Sequence, residues 1–250
     1  MKKICTFLLV FLVTTVISVF PQKKLALHFS NATNKIESAK LLEKITYWEL
    51  FLINNKINYD VIYDKDIESG ISHKKYHTVV FPYSKVVSQD EYVSIEKYME
   101  NSGNLIAFGE FCFYEQGINT KSFERLEYLF GVLYSGYIQQ KQMSLLAEFR
   151  SQFPVTKDIA NQLPVQVSAK SSPVYVEIIS SKSKSLSKVK SDNASNKIEK
   201  SLIVFNTMDN SKAAWFSFDP LEVISSREDV KKIEKIIINT INWFEESAPN

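Results

Sequence analysis

Short apolar runs alternate with longer segments of helical periodicity along the first half of the chain. Runs of four to six residues bounded by turn residues predict buried β-strands. These runs are Leu25–Phe29, Tyr59–Tyr63, Tyr76–Phe81 and Leu105–Phe108. Residues 35–56 repeat apolar side chains at steps of four, three and four, which predicts a helix after a polar turn at residues 30–34. This alternation predicts a parallel sheet covered by helices.

Two more helices are predicted in this half. Ser88 and Glu91 form a capping box, which begins a helix that should end near Gly103. A shorter helix is expected over Ser122–Phe130.

The second half of the chain has a less regular pattern. We expect strands at Val174–Ile179, Leu202–Phe205 and Ala213–Phe218, and a final amphipathic helix capped by Ser225. The segment Ser180–Lys200 is dense in serine and lysine, which predicts a mobile loop within a hairpin extension. A surface contact with an anionic polymer or lipid is the alternative for this segment.

The first residues have the pattern of an export signal. Met1-Lys2-Lys3 is positively charged, and Ile4–Phe20 is an apolar run. The sequence therefore predicts a signal peptide at residues 1–22, with an uncleaved N-terminal anchor as the alternative. Residues 23–250 are expected to form a single domain that is periplasmic, at the cell surface or secreted, with the membrane contacted only through an uncleaved N-terminal segment.

Charge and cysteine content exclude several classes of protein. The chain has 30 basic and 28 acidic residues, and residues 1–20 contain two lysines and no acid, so the remainder is neutral. A neutral domain gives no reason to expect a nucleic-acid partner. Cys5 lies in the predicted signal, so Cys112 has no partner for an intrachain disulfide. None of the six glycines has phosphate-loop spacing, and we predict no cofactor.

Five segments, taken in order, resemble the class I glutamine amidotransferase-like superfamily. They are Tyr59–Ile62, Tyr76–Pro82, Glu96–Glu110, Leu126–Val132 and Ala214–Pro220. The likeness is greater to the branch found beside polysaccharide deacetylases and in the trimerisation domain of some β-galactosidases. The resemblance implies a flavodoxin-like, doubly wound α/β fold with helices on both faces of a mostly parallel sheet. It also implies a module without amidotransferase chemistry that is associated with carbohydrate-active proteins. Where relatives often carry Gly-Lys-Gly-Arg, this chain has Asp209–Lys212.

Polar residues that follow the predicted strands are the candidate ligand-binding residues, because open α/β sheets bind ligands at the carboxyl ends of their strands. These candidates are Ser30, Asn31, Asp64, Tyr83, Glu110 and Tyr114. Tyr137 is a further aromatic residue that suits stacking on a sugar.

Cys112 and Glu110 are the candidate catalytic residues. Amidotransferases of this class pair the nucleophilic cysteine with a histidine near the C-terminus, but the only histidines here are His28, His73 and His77. Neither that order nor the Ser-Asp-His order of α/β-hydrolases is possible. We expect His28 to be a hydrogen-bonded core residue and the other two to be solvated, with no metal site. Glu110 would bind a sugar hydroxyl, act as a general acid or form a salt bridge.

Two functions remain open from the sequence. The first is a non-catalytic module that binds a glycan or a protein partner in the cell envelope. The second is a degenerate hydrolase or amidase that uses Cys112 or Glu110.

Overall fold

The computed structural model describes residues 24–118, 120–137, 145–148, 153–159, 162–165, 168, 173–189 and 200–246. The predicted signal at residues 1–22 lies outside the described residues. Among the helices in the described ranges, none is both long and apolar enough to cross a membrane.

Thirteen strands and five helices make up the described fold. The strands are β1 Lys24–Phe29, β2 Tyr59–Tyr63, β3 Tyr76–Phe81, β4 Val86–Val87, β5 Asn104–Phe108, β6 Tyr114–Glu115, β7 Val132–Tyr137, β8 Leu145–Glu148, β9 Gln162–Val165, β10 Val174–Ile178, β11 Ser183–Val189, β12 Lys200–Thr207 and β13 Lys212–Phe216. The helices are α1 Asn31–Asn54, α2 Asp64–Glu68, α3 Gln89–Glu100, α4 Glu124–Phe130 and α5 Arg227–Glu245.

The central sheet has nine strands and confirms the predicted fold class. Strands β2, β1, β3, β5 and β13 lie side by side in that order and are all parallel. Counted along the chain, this is the 2-1-3-4-5 order of the flavodoxin-like fold. Strands β12, β10 and β7 continue the sheet in antiparallel pairing, and β11 pairs with β12 beside them.

Helices cover both faces of this sheet and bury two separate apolar layers. Trp48 of α1 and Ile237 of α5 belong to one buried cluster, which places these two helices on the same face. Ile67 of α2, Ile95 of α3 and Leu129 of α4 belong to the other cluster. The parallel strands between the two layers read as continuous apolar runs because both of their faces are buried.

Helix α1 begins earlier than the sequence pattern predicts. Ser30 caps it by accepting a hydrogen bond from the Thr33 backbone N–H at 3.1 Å, so the predicted polar turn is the first turn of the helix. The helix is kinked at Glu37, whose φ and ψ are −139° and 52°. The apolar periodicity starts only after this kink, which explains the late predicted start.

Two other helix ends also differ from expectation. The cap of α5 is Ser226, not Ser225, because the Ser226 side chain accepts from the Asp229 backbone N–H. After α3 the left-handed residue is Ser102, with a φ of 70°. Gly103 is required for a different reason: a Cβ there would lie 2.3 Å from the ring of Tyr98.

The predicted loop at Ser180–Lys200 is wrong for the residues that form β11. Ser183–Val189 pairs with β12 along its length, and Leu186 and Ser187 are buried. The sequence pattern did not predict this strand because it is rich in serine. Ser183 and Ser187 occupy buried positions that are usually apolar in a strand, and they form hydrogen bonds there with Phe130 and Leu202. Residues 190–199 of the predicted loop lie outside the described residues.

Candidate functional site

A cavity of about 410 Å³ opens at the carboxyl ends of β3, β5 and β13. Its walls come from the kinked start of α1, the segments after these three strands, and β7. The lining residues are Glu37, Lys40, Lys44, Tyr83, Lys85, Gly109, Glu110, Lys121, Tyr137, Ser217 and Glu222. Because Gly109 has a φ of 60°, the chain turns sharply after β5 and brings the next residue, Glu110, to the cavity.

Glu110 is held on both sides by cationic and phenolic groups. Its two oxygens lie 2.6 Å from Lys85 Nζ and 3.0 Å from Lys121 Nζ, and the Tyr137 hydroxyl donates to it at 2.6 Å. Burial alone would raise the pKa of Glu110, but the hydrogen bonds from Lys85 and Tyr137 hold it at about 2. A carboxyl that is ionised at neutral pH cannot serve as a general acid, so this geometry favours binding or charge pairing.

Lys85 joins the two sides of the cavity. Its Nζ lies 2.6 Å from Glu37 Oε1 and 2.6 Å from Glu110 Oε2. The Tyr83 hydroxyl also donates to Glu37. Burial favours the neutral amine, yet the hydrogen bonds that Lys85 donates to the two carboxylates raise its pKa. The kink in α1 lies at the residue that receives both hydrogen bonds.

A buried group of ion pairs lies beside the cavity, in the segment that follows β13. Lys44 of α1 donates to Asp219 and, at 3.1 Å, to Glu222. Burial would lower the pKa of Lys44, but the charges of Asp219 and Glu222 raise it. Breaking such a buried pair on one side leaves an uncompensated charge, which is strongly destabilising.

Basic and acidic side chains are nearly equal in number around the cavity. The lining includes four lysines, Lys40, Lys44, Lys85 and Lys121, and three carboxylates, Glu37, Glu110 and Glu222, while the buried Asp219 pairs with Lys44. The lysines also occupy the tyrosine faces: Lys40 lies 4.9 Å from the ring centre of Tyr83, and Lys121 lies 4.7 Å from that of Tyr137. The site therefore offers paired hydrogen-bond donors and acceptors more than free aromatic faces.

The residues predicted to bind a ligand lie in three places. Tyr83, Glu110 and Tyr137 line the cavity. Tyr114 borders a neighbouring groove of about 320 Å³, and its ring centre lies 5.9 Å from Lys85 Nζ and 5.5 Å from Lys121 Nζ.

The other predicted residues, Ser30, Asn31 and Asp64, form hydrogen bonds that hold the start of α1 in place. Ser30 is fully buried as the cap of α1. Asp64 accepts hydrogen bonds from the backbone N–H groups of Asn31 and Ala32 at 2.9 Å each. These contacts tie the start of α1 to the start of α2, and none of the three predicted residues is among those that line the cavity.

Cys112 has a strained backbone but not the surroundings of a nucleophile. Its φ is 58°, in the left-handed region that costs a residue with a Cβ about 1 kcal/mol or more. Its side chain is 1% exposed between the fully buried rings of Phe111 and Phe113. Burial raises the pKa of the Cys112 thiol well above its usual range. A reactive cysteine needs the opposite conditions, which are exposure and a lowered pKa.

His28 is buried and hydrogen-bonded, as predicted. Its Nδ1 lies 2.8 Å from Ser84 Oγ, and its Nε2 lies 3.1 Å from Asp64 Oδ1 and 3.8 Å from Glu91 Oε1. Ser84, His28 and Asp64 thus form a hydrogen-bonded chain of the residue types found in hydrolytic triads, but Ser84 is 1% exposed and cannot meet a substrate. Glu91 joins the cluster from the first turn of α3.

The predicted solvated pair of histidines is wrong for His77. That side chain is buried in β3, with Nε2 3.3 Å from Glu245 Oε1 of α5. His73 is partly exposed in the turn before β3. Helix α5 covers this face of the sheet, which the sequence pattern around His77 does not show.

Sequence reasoning missed most of the charged residues of the cavity. Glu37, Lys40 and Lys44 lie on α1, where charged residues at helical spacing ordinarily indicate a solvated face. Lys85 follows β3 and Lys121 follows β6, so their position after a strand could have indicated that they belong to the site.

Comparison with known proteins relates the fold to two groups of solved structures. No protein-family model and no curated protein sequence matches the chain significantly. A protein of Bacteroides uniformis described as ThuA-like has a TM-score of 0.64 at 13% identity, with 90% of this chain covering 91% of that one. A β-galactosidase of Bacillus circulans sp. alkalophilus has a TM-score of 0.64 at 11% identity, with 91% of this chain covering 32% of that one. A cold-adapted β-galactosidase of Rahnella sp. R3 gives 0.61 at 12% identity, with coverage of 88% and 31%.

These similarities concern the fold. The chain corresponds to almost the whole of the ThuA-like protein but to only about a third of each β-galactosidase. The match is consistent with the glutamine amidotransferase-like resemblance of the sequence. The chain has the mixed, mostly parallel α/β fold of these structures.

Proposed function

We propose that this chain is an exported, non-catalytic glutamine amidotransferase-like module that binds a neutral glycan in the cavity at the carboxyl ends of β3, β5 and β13. The observation that carries the proposal is the mixture of charges in that cavity, where four lysines and three carboxylates line a space of about 410 Å³ and the buried Asp219 pairs with one of the lysines. Sugar hydroxyl groups both donate and accept hydrogen bonds, so they suit such a wall without requiring a net charge.

The proposal of a non-catalytic module is supported by the state of both candidate catalytic residues. Cys112 is a buried thiol with a raised pKa, and Glu110 is an ion-paired carboxylate with a pKa of about 2. The alternative of a degenerate hydrolase or amidase has no comparable support. A protein partner in the cell envelope stays a prediction from the sequence.

The neighbours in fold support carbohydrate as the ligand class. Two of the compared structures are β-galactosidases, and a further one is an exo-β-1,4-mannosidase, with a TM-score of 0.56 at 10% identity. This chain covers 36% of the mannosidase, so the activity in that name is not transferred.

A binding screen with defined saccharides tests the proposal. The protein would be applied to an array of neutral oligosaccharides with sulfated and uronic-acid glycans as the charged comparison, and hits would be measured by calorimetry. We expect a neutral glycan to bind and Glu110→Gln to weaken it at least about tenfold, because hydrogen bonds to charged groups contribute about 1.5–3 kcal/mol.

A matched control separates the cavity from the rest of the surface. Glu228 is an exposed carboxylate on α5, and Glu228→Gln should leave binding unchanged. The proposal is wrong if no neutral glycan binds, or if Glu110→Gln and Lys85→Met both leave the affinity at the wild-type level.

A further inference from the structure

A second group of polar side chains lies at the point where the order of the parallel strands reverses. Strand β1 stands between β2 and β3, and open α/β sheets bind ligands in the crevice beside such a switch point. His28 near the end of β1, Asp64 at the start of α2 and Glu91 in the first turn of α3 converge there. None of these three is among the residues that line the cavity described above.

The three side chains have the spacing of ligands around one metal ion. His28 Nε2 lies 3.1 Å from Asp64 Oδ1 and 3.8 Å from Glu91 Oε1, and the ligand atoms of all three lie within 4.8 Å of one another. Ligands that bind zinc tetrahedrally at about 2.0–2.2 Å are themselves about 3–4 Å apart. The two separations from His28 lie in this range, so all three ligand atoms could contact one ion after a small movement of Asp64 or Glu91.

Glu91 supplies an independent reason to expect a cation. Its side chain is 0% exposed, and its Oε1, which faces His28, has no hydrogen-bond partner among the described residues. Its other oxygen accepts from the Ser88 backbone N–H at 2.6 Å. A buried carboxylate oxygen without a partner is costly, and a cation would compensate it.

The surroundings of the cluster resemble a second shell that orients metal ligands. The Nδ1 of His28 lies 2.8 Å from Ser84 Oγ, so an Nδ1–H tautomer donates to Ser84 and turns the Nε2 lone pair toward the carboxylates. Asp64 is oriented by the two N–H groups at the start of α1.

We propose that His28, Asp64 and Glu91 form a buried site for one divalent transition-metal ion, best suited to Zn²⁺. One neutral imidazole and two carboxylates carry a charge of −2, which the ion neutralises. The mixed nitrogen and oxygen donors favour zinc over calcium or magnesium, which prefer oxygen ligands alone. Because the ligands come from β1, α2 and α3, the ion stabilises the packing of these elements.

The alternative is a metal-free cluster that the hydrogen bonds of His28 and Asp64 hold together without an ion. To separate the two, the full chain would be stripped with a chelator, dialysed and titrated with Zn²⁺, and with Co²⁺ as a spectroscopic probe. We expect one zinc per chain by mass spectrometry and visible cobalt absorption bands. At about a hundredfold excess over the Kd, the Tm should rise by roughly 5–10 °C.

Conservative variants decide which residues bind the ion. Glu91→Gln and Asp64→Asn keep the side-chain shape and should each weaken zinc binding at least about tenfold and reduce the Tm shift. Glu245→Gln changes the carboxylate beside the other buried histidine, His77, and should leave zinc binding intact.

Two results would overturn the proposal. The first is a wild-type chain that takes up no zinc, shows no cobalt bands and has the same Tm with and without metal. The second is unchanged zinc binding in both Glu91→Gln and Asp64→Asn. If either variant fails to fold by circular dichroism, the wild-type stoichiometry and cobalt spectrum still decide.

Discussion

At the scale of single residues, Glu110 shows how the fold keeps a half-buried carboxyl charged. Lys85 and Lys121 each form an ion pair with one of its two oxygens, and Tyr137 adds a hydrogen bond. These contacts hold the pKa at about 2, below the ordinary value of 4.5. A carboxyl whose pKa is lower in the folded state stabilises the fold above its ordinary pKa and loses that contribution as the pH falls through the lowered value.

This lowered pKa predicts an acid-dependent effect of Glu110→Gln. The variant should be less stable than the wild type at pH 6, and the difference in free energy of unfolding should shrink as the pH falls from about 4.5 toward 2. Urea unfolding across this pH range measures the difference. Glu228→Gln, at an exposed position, should show little change with pH. If the difference in free energy of unfolding between wild type and Glu110→Gln stayed constant down to pH 2, the lowered pKa of Glu110 would be contradicted.

Cys112 should behave as a structural thiol. Burial and the raised pKa predict slow reaction with iodoacetamide near neutral pH in the folded protein, and rapid reaction once guanidinium unfolds the chain. The protein should also release no ammonia from glutamine. Rapid alkylation of the native protein, or turnover that disappears in Cys112→Ala, would restore this residue as a nucleophile.

The sequence predicted part of the site because strand ends are recognisable. Tyr83 and Glu110 follow apolar runs that end at a proline and a glycine, so their place at the sheet edge could be inferred. Glu37 could not be found in this way, because it reaches the cavity through a helix kink that local periodicity does not reveal. The meeting of His28, Asp64 and Glu91 depends on three-dimensional packing and has no local spacing signal.

At the scale of elements, the antiparallel extension of the sheet differs most from expectation. Parallel strands are buried on both faces, so apolar runs identify them, whereas β11 has serine or lysine at five of its seven positions. Its register follows the pairing with β12, where the buried Ser183 hydroxyl donates to the Phe130 carbonyl and to Asn206 Oδ1 and the buried Ser187 hydroxyl accepts from the Leu202 N–H. Such a strand is recognisable only from its partner.

A single substitution tests whether β11 is integral to the fold. Leu186 is 2% exposed, so Leu186→Ala should lower the free energy of unfolding by about 2–4 kcal/mol. Lys184→Ala, at an exposed position of the same strand, should change it by no more than about 0.5 kcal/mol. Denaturant unfolding measures both variants. A loss below about 1 kcal/mol for Leu186→Ala would indicate that the strand contributes little to the core.

At the scale of the whole molecule, the cavity joins the two halves of the chain. Glu37 and Lys44 come from α1, Glu110 follows β5, and Ser217 and Glu222 follow β13. Strand β13 pairs in parallel with β5, so residues that follow the last parallel strand complete a site to which the first helix also contributes. The candidate site therefore requires the complete parallel sheet, and the first half of the chain would not form it alone.

Export is the prediction for the whole molecule that most affects its function, because it decides whether the cavity meets envelope glycans. Met1–Pro21 combines two early lysines with an apolar run, the pattern that directs secretion. Alkaline phosphatase fused after residue 22 should therefore be active, since that enzyme needs the oxidising conditions outside the cytoplasm. The same fusion carrying the substitution Leu9→Arg should be inactive, because the arginine charge interrupts the apolar run. The N-terminal mass of the exported protein then distinguishes a cleaved signal from a retained anchor. Equal activity of the two fusions, or no activity in either, would refute export through this segment.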